Sequence, residues 1–230
     1  MSLPREDRLK ALGLWPVWRL RDASQTASLA TPAEAVATDI GDSWDALRSA
    51  VQSCTRCELS KTRTQGVFGV GDIAADWMII GEAPGADEDR LGEPFVGQAG
   101  KLLDAMLAAL GLKRGEDVYI ANVLKSRPPG NRDPKPEEVQ ACLPYLLRQI
   151  DLIRPKLILA MGRFAAQSLL VTDTSIARMR GRLHEYHGVP LIVTYHPAYR
   201  LRNPADKAKS WEDLCLARQT MARLKDPGLS

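Results

Sequence analysis

The chain has 230 residues, 45% of them hydrophobic, and a formal net charge of +3. This length allows one compact α/β domain with an extension, or two small domains. The mildly basic charge is compatible with nucleic-acid binding without indicating it. No apolar run reaches the roughly 18 to 20 residues of a membrane span, and the N-terminus lacks the apolar stretch of a secretory signal. We therefore expect a cytoplasmic protein with no membrane partner.

Residues 1–40 differ in character from the rest of the chain. A short helix is predicted over 5–20, and 23–39 is rich in Ala, Thr and Ser without a clear period, which is typical of a linker. We therefore predict an N-terminal extension and linker over 1–40 and one domain over 41–230.

Two of the four cysteines form a C-x-x-C pair, Cys54 and Cys57, while Cys142 and Cys215 stand alone. A disulfide framework is not expected in a reducing compartment. The pair follows a short predicted helix, 43–52, whereas a redox C-x-x-C motif belongs at a strand-to-helix turn. The spacing therefore favours a metal site, and a pair of ordinary thiols remains the alternative.

From residue 77 onwards, short apolar runs alternate with amphipathic stretches. The runs predict strands, and the stretches predict helices. Strands are predicted over 77–80, 118–123, 157–161 and 191–195, and helices over 98–110, 136–153, 163–170 and 206–224. This alternation predicts an α/β fold, a three-layer sandwich whose central, mostly parallel, four-stranded sheet is flanked by helices.

Glycine and polar residues follow each predicted strand. Gly81-Glu-Ala-Pro-Gly85 follows the first, Asn122 ends the second, Gly162 follows the third, and His196 follows the fourth. Open α/β sheets bind ligands beyond the carboxyl ends of their strands, so these residues are expected to meet in one crevice.

Three side chains at this edge suit the recognition of a nucleobase. The amide of Asn122 can pair with the O4 and N3–H edge of uracil, and Phe95 can stack on a base. His196 can donate a hydrogen bond to an oxygen that gains negative charge. Taken alone, each also fits a structural role, as a loop bond, a core anchor or a backbone partner.

The segment after His196 carries features that suit DNA. Arg200 and Arg202 can hold phosphates, and Leu201 between them can wedge into a base stack.

Taken together, these segments resemble the iron–sulfur, family 4 uracil-DNA glycosylases. The likeness covers about 53–224 and rests on Cys54-x-x-Cys57, GEAPG at 81–85, GEPFVGQAGKLLD at 92–104, NVLKSRPPGNRDP at 122–134, Ala141-Cys142 and HPAYRLRN at 196–203. The resemblance implies a uracil-DNA glycosylase fold and a monofunctional base-excision repair enzyme. It would hydrolyse the N-glycosidic bond of deoxyuridine in single- or double-stranded DNA, release uracil and leave an abasic site, and we expect it to act as a monomer.

The resemblance also assigns roles to residues of this chain. It implies that His196, Asn122 and Glu88 serve catalysis, with His196 stabilising the departing uracil anion. The uracil pocket it implies consists of Gly81, Glu82, Ala83, Gly85, Phe95, Asn122, Asn131 and His196. Ala83 and Gly85 replace the Asp and Tyr of the related GQDPYH enzymes, so the attacking water has no obvious strong base. This suits a dissociative reaction, in which uracil leaves before water attacks.

The family holds a 4Fe-4S cluster with four cysteines, and this chain matches three of the positions. These are Cys54, Cys57 and Cys142, whereas Ser126 occupies the remaining position. Iron–sulfur clusters prefer four thiolates, so we expect a less stable cluster than in the family. Three outcomes stay open: weak ligation by Ser126 or water, a labile three-iron form, or a site that is empty or holds zinc with three thiolates.

Two other functions remain as alternatives. One is a non-catalytic DNA-binding or repair module of the same fold with a degenerate iron–sulfur site. The other is an enzyme of free nucleosides or nucleotides, which would not need basic residues beside the pocket.

Overall fold

This computed structural model describes residues 40–41 and 43–226, so the predictions for 1–39 lie outside the described residues. The strands are β1 (Val70–Gly71), β2 (Trp77–Gly81), β3 (Val118–Asn122), β4 (Leu157–Met161), β5 (Leu183–Tyr186) and β6 (Val189–Thr194). The helices are α1 (Trp44–Gln52), α2 (Ala86–Leu91), α3 (Gln98–Ala109), α4 (Pro136–Ile153), α5 (Arg163–Leu170), α6 (Ile176–Met179), α7 (Pro197–Arg202) and α8 (Lys207–Lys225). Short 3-10 turns lie at Glu58–Lys61, Pro129–Asn131 and Pro204–Asp206.

The strands form one mixed sheet in the order β1-β3-β2-β4-β6-β5. Its four central strands are parallel and are the four that the sequence predicted, so the α/β class is confirmed. The prediction of a four-stranded sheet was wrong, because β1 and β5 add an antiparallel strand at each edge. β1 has two residues and β5 is mostly exposed, so neither has the pattern of a buried strand.

Alternate residues of the central strands face opposite sides of the sheet, and helices cover both sides. Met78 and Ile80 of β2 pack on the side that holds α4 and α5, whereas Trp77 and Ile79 pack on the side of α3 and α8. The three-layer arrangement is therefore confirmed. The four long predicted helices match α3, α4, α5 and α8 to within one residue at each end.

The parallel strands bring their carboxyl ends to one edge. Gly81 at the end of β2 pairs with Asn122 at the end of β3. The N–H of Gly162 donates to the carbonyl of Thr194 over 2.8 Å, which joins the ends of β4 and β6 just before His196. Among the described residues, no helix is both long and apolar enough to cross a bilayer.

Candidate active site

A cleft of about 800 Å³ opens at the carboxyl ends of the central strands. Its walls come from the loops that follow these strands, and they include every predicted pocket residue except Gly81, which lies beneath Asn122 and Phe95. The predicted residues among its lining are Glu82, Ala83, Gly85, Glu88, Phe95, Asn122, Asn131, His196 and Arg202.

The bare backbone of Gly81 forms the floor on which two pocket side chains meet. A Cβ atom at this position would lie 2.4 Å from Oδ1 of Asn122 and 2.6 Å from Cζ of Phe95. Real Cβ atoms do not approach other atoms this closely, so only glycine fits here. Asn122 is 3% exposed, and the hydrogen bonds among the described residues leave its side-chain amide free. The amide is therefore available to a ligand that enters beside Phe95.

The loop that carries Phe95 is held in an unusual conformation. Phe95 has a φ of 55°, in the left-handed region that bulky residues rarely adopt. Arg114 donates to the carbonyl of Pro94 over 3.1 Å and to that of Phe95 over 2.9 Å. A Cβ at Gly100 would lie 1.7 Å from the Phe95 carbonyl oxygen, so glycine is required in this helix turn. The role of Arg114 was not predicted from the sequence, because its contacts are made across about twenty residues of chain.

His196 caps the N-terminus of α7 and is held as a neutral imidazole. Its Nδ1 accepts a 3.1 Å hydrogen bond from the backbone N–H of Ala198. Nδ1 then carries no hydrogen, so in the neutral ring the hydrogen is on Nε2. Burial, with a smaller effect of the Arg202 charge, lowers the pKa of His196 to about 4. At pH 7 the residue therefore offers an N–H donor without a positive charge.

The imidazole of His196 lies against the ring of Phe95. The two ring centroids are 5.4 Å apart and the planes are inclined by 26°. The stacking residue and the hydrogen-bond donor that the sequence predicted are therefore in direct contact.

Glu88 joins two loops of the pocket. Its Oε2 accepts from the N–H of Gly85 over 3.0 Å, and its Oε1 accepts from Val96 over 3.0 Å and from Gly97 over 3.3 Å. The carboxylate thus ties the 81–85 turn to the loop that carries Phe95. Three amide donors already occupy its oxygens, which leaves it poorly placed to act as a base.

Glu82 stands in the cleft wall near Asp133 and Arg163. Burial, reinforced by the negative charge of Asp133, raises the pKa of Glu82 to about 7, and Arg163 partly offsets this rise. Arg163 and Asp133 form an ion pair with 3.6 Å between Nη2 and Oδ2. The carboxyl group of Glu82 is therefore partly protonated at neutral pH.

Known proteins match this chain over most of its length. The model of the uracil DNA glycosylase superfamily matches residues 68–216. The chain belongs to this superfamily. The type-4 uracil-DNA glycosylase of Archaeoglobus fulgidus is 51% identical over 171 residues, which cover 71% of this chain and 85% of that protein. Type-4 enzymes of Pyrobaculum aerophilum and Saccharolobus solfataricus are 44% and 42% identical, over 74% and 79% of this chain and 90% and 88% of theirs. The family resemblance of the sequence is confirmed.

At the rim of the glycosylase cleft, neighbouring residues of α7 differ in exposure. Arg200 is 6% exposed and donates to the carbonyl of Asn203 over 3.1 Å, so it faces inward and supports its own loop. Leu201 is 50% exposed, and the exposed Arg202 lines the cleft. Of the three residues predicted to contact DNA, the structure leaves Leu201 and Arg202 accessible.

Asn131 also lines this glycosylase cleft. It ends the 3-10 turn Pro129–Asn131 with a φ of 54°, and its Oδ1 accepts from Nε of Arg127 over 2.8 Å. The structure thus brings it to the pocket with its side chain already engaged by an arginine.

Three cysteines gather behind the wall of the uracil-DNA glycosylase pocket. A hydrogen bond with Cys142 lowers the pKa of the Cys57 thiol to about 6. Cys54 packs against the buried cluster that contains Tyr145, one helical turn from Cys142. Cys57 and Ala83 both pack against the buried cluster that contains Cys142. Cys215 lies on α8, across the sheet from this group.

Ser126 is held by an arginine at the position where the family has its remaining cysteine. Ser126 is 4% exposed, and its Oγ accepts a 2.8 Å hydrogen bond from Nη1 of Arg63. The same guanidinium donates to the carbonyls of Val51, Gln52 and Cys54. A hydroxyl that accepts from a cation is a poor substitute for a thiolate, so the donor set does not fit a cluster held by four cysteines. Within the described residues, no three His, Cys, Asp or Glu side chains are placed to hold a single metal ion, which gives the zinc alternative no support.

Proposed function

We propose that this chain removes uracil from DNA by hydrolysing the N-glycosidic bond of deoxyuridine, which leaves an abasic site. The observation that carries the proposal is the convergence of Phe95, Asn122 and the neutral imidazole of His196 in one cleft. The type-4 uracil-DNA glycosylases that match this chain at 42–51% identity support the same activity.

Asn122 is the residue that we assign to base recognition. Its side-chain N–H donates to uracil O4, and its side-chain oxygen accepts from uracil N3–H. Cytosine presents the reverse pattern of donors and acceptors at these atoms, so the pairing selects uracil. The cleft geometry supports this role, because the free amide of Asn122 lies over Gly81 and beside the ring of Phe95.

His196 is the residue that we assign to the departing base. As the glycosidic bond breaks, negative charge spreads over the uracil ring, including O2. The Nε2–H group, fixed by the bond from Ala198 to Nδ1, donates to this oxygen. Such a preorganised donor strengthens as charge develops and therefore favours the transition state over the bound substrate.

The surroundings of the attacking water favour a dissociative reaction. Ala83 contributes only a methyl group to the pocket, and the Glu88 carboxylate accepts three backbone N–H bonds. We assign Glu88 a positioning role, in which it holds Gly85 and the Phe95 loop in register. Uracil then leaves as an anion, and water captures the resulting sugar cation without a strong base. The proton that this water loses passes to solvent or to the uracil anion.

DNA is the substrate that we propose, because the rim of the cleft suits an extruded nucleotide. A base inside a duplex must leave the stack before it can enter the pocket. The exposed Leu201 can fill the space it leaves, and Arg202 can hold a phosphate, while Arg200 keeps their loop in place. Single- and double-stranded substrates both fit this arrangement, and we propose that the enzyme acts as a monomer.

The cysteine group takes no part in bond cleavage in this proposal. Cys57 and Cys142 lie behind Ala83, so their packing supports the pocket wall. Loss of this packing would loosen the pocket without removing a group that reacts.

The comparisons do not favour the non-catalytic module. The type-4 relatives of Archaeoglobus fulgidus and Pyrobaculum aerophilum are named as uracil-DNA glycosylases, and this chain matches 85% and 90% of their length. An enzyme of free nucleosides would leave the exposed Leu201 and Arg202 at the cleft rim without a purpose.

A nicking assay tests the proposal directly. A single-stranded oligonucleotide with one uracil is incubated with the protein and treated with hot alkali, which breaks the strand at abasic sites. We expect cleavage at the uracil alone, loss of cleavage in His196→Ala, and no release of uracil from free deoxyuridine. If folded protein does not cleave the oligonucleotide, the result would favour the non-catalytic DNA-binding module instead.

A further inference from the structure

We propose that Lys125 is a positioning residue for uracil recognition, which fixes the backbone of Asn122 from inside the protein. This inference rests on the proposed function, because it assigns a second residue to the site through which Asn122 reads the base.

Lys125 is a lysine whose amine is turned into the protein. Its side chain is 1% exposed. The Nζ atom donates to the backbone carbonyl of Asn122 over 2.9 Å and to Oε1 of Gln149 over 2.6 Å. Lysine is almost never fully buried unless partners hold its amine, so these two contacts account for its place in the core.

The Asn122 carbonyl, which Lys125 binds, lies beyond the point where β1 stops pairing with β3. On one side of β3, β1 pairs only as far as Val70, opposite Ile120. No residue of β1 therefore reaches Asn122 from that side. The amine of Lys125 takes the place of the missing strand and fixes the carbonyl of the residue whose side chain enters the pocket.

Gln149 anchors the amine from behind. It is fully buried on α4, and its Nε2 donates to the carbonyl of Phe68 over 2.9 Å and to the hydroxyl of Tyr119 over 3.1 Å. The chain of contacts therefore runs from α4 through Lys125 to Asn122. A rigid support of this kind keeps a recognition group in place before the substrate binds. Less conformational entropy is then lost on binding, which is the main benefit of preorganisation.

Lys125→Met is the variant that tests this role, because methionine fills a similar volume and removes only the amine. Single-turnover excision of uracil from an oligonucleotide should slow by about 10- to 100-fold, since small displacements of a positioning group have effects of this size. The DNA concentration at half-maximal rate should stay within about twofold, because Lys125 is far from solvent and from phosphates. Lys113→Met, at an exposed lysine away from the cleft, is the matched control and should match the wild type.

A double-mutant cycle separates positioning from a general loss of structure. If Lys125 acts through Asn122, then Lys125→Met should slow the Asn122→Ala variant by less than about twofold. A residue that merely stabilises the fold would slow both backgrounds by the same factor. Excision by the Asn122→Ala variants is followed over hours, at a temperature where circular dichroism shows all variants folded.

The results separate this inference from the proposed function. Wild-type protein that does not cleave the oligonucleotide overturns the function itself. Wild-type cleavage with an unaffected Lys125→Met variant, or equal losses in both backgrounds, overturns the role of Lys125 alone. If Lys125→Met does not fold, the same cycle is run with Lys125→Leu, which also removes the amine, and the same two outcomes decide.

Discussion

The rings of Phe95 and His196 lie too close together for a base to enter between them. Their centroids are 5.4 Å apart, whereas a sandwiched base needs about 7 Å, twice the usual contact distance between carbon atoms. Because the two planes differ by only 26°, a uracil that stacks on Phe95 beside His196 lies nearly parallel to the imidazole. The Nε2–H of His196 can then meet an edge of the base, which is the geometry that donation to O2 requires.

Removing this donor should slow bond cleavage more than it weakens binding. We expect His196→Ala to lower the single-turnover excision rate by about 10²- to 10³-fold, the usual effect of losing one preorganised donor to a developing anion. Affinity for uracil-containing DNA, measured by fluorescence anisotropy, should change little. A loss of affinity as large as the loss of rate would show instead that His196 holds the loop together through its bond to Ala198.

Asn122→Asp should abolish uracil recognition with almost no change in side-chain shape. An ionised aspartate has two acceptors and no donor, so uracil O4 would face a negative charge. We expect excision to fall by at least about 10³-fold, because a buried polar group left unpaired carries a large penalty. Circular dichroism should show a folded variant. An unchanged excision rate would remove Asn122 from the site.

The sequence predicted the parts of this site that depend on strand ends. Asn122 and His196 each follow a buried apolar run, and parallel strands bring such positions to one edge. Contacts set by side-chain direction were not predictable. Arg200 and Leu201 are neighbours in sequence, yet one is buried and the other exposed, because they lie on different faces of the short helix α7. The edge strand β5 was also missed, since exposed residues there carry no hydrophobic signal.

Leu201 should matter more for duplex DNA than for single strands. If its side chain fills the gap left by an extruded base, Leu201→Ala removes that filling only where a stack exists. We expect excision from a U·A duplex to slow by roughly tenfold and excision from a single strand to change by less than about twofold. Leu183→Ala, at an equally exposed leucine on β5, serves as the control and should affect neither substrate. Equal losses on both substrates would contradict the wedge.

Glu82 should make the stability of the protein depend on pH near neutrality. Its pKa is raised from 4.5 to about 7 in the folded protein, chiefly by burial. The protonated form is thus favoured on folding, so its contribution to stability is complete below about pH 4.5 and is lost as the pH rises through 7. We expect the Tm of Glu82→Gln minus the Tm of the wild type to be larger at pH 8 than at pH 5. The Glu93→Gln variant, at an exposed glutamate, is the control for the loss of a carboxylate as such. A Tm difference between Glu82→Gln and the wild type that stays constant with pH would contradict the raised pKa of Glu82.

Ser126 should control how much iron the protein holds. With three thiols and a hydroxyl that accepts from Arg63, the wild type lacks the four thiolates that iron–sulfur clusters prefer. Ser126→Cys supplies the missing thiolate beside Cys142, whose sulfur already accepts from the N–H of Lys125. We expect iron and acid-labile sulfide per chain to rise several-fold in protein reconstituted without oxygen, together with brown absorbance. Cys215→Ser, which changes the thiol across the sheet, should leave the iron content unchanged. A wild type that already holds a full cluster would instead show that the Ser126 hydroxyl, or a water in its place, completes the set, and that Arg63 moves away when iron binds.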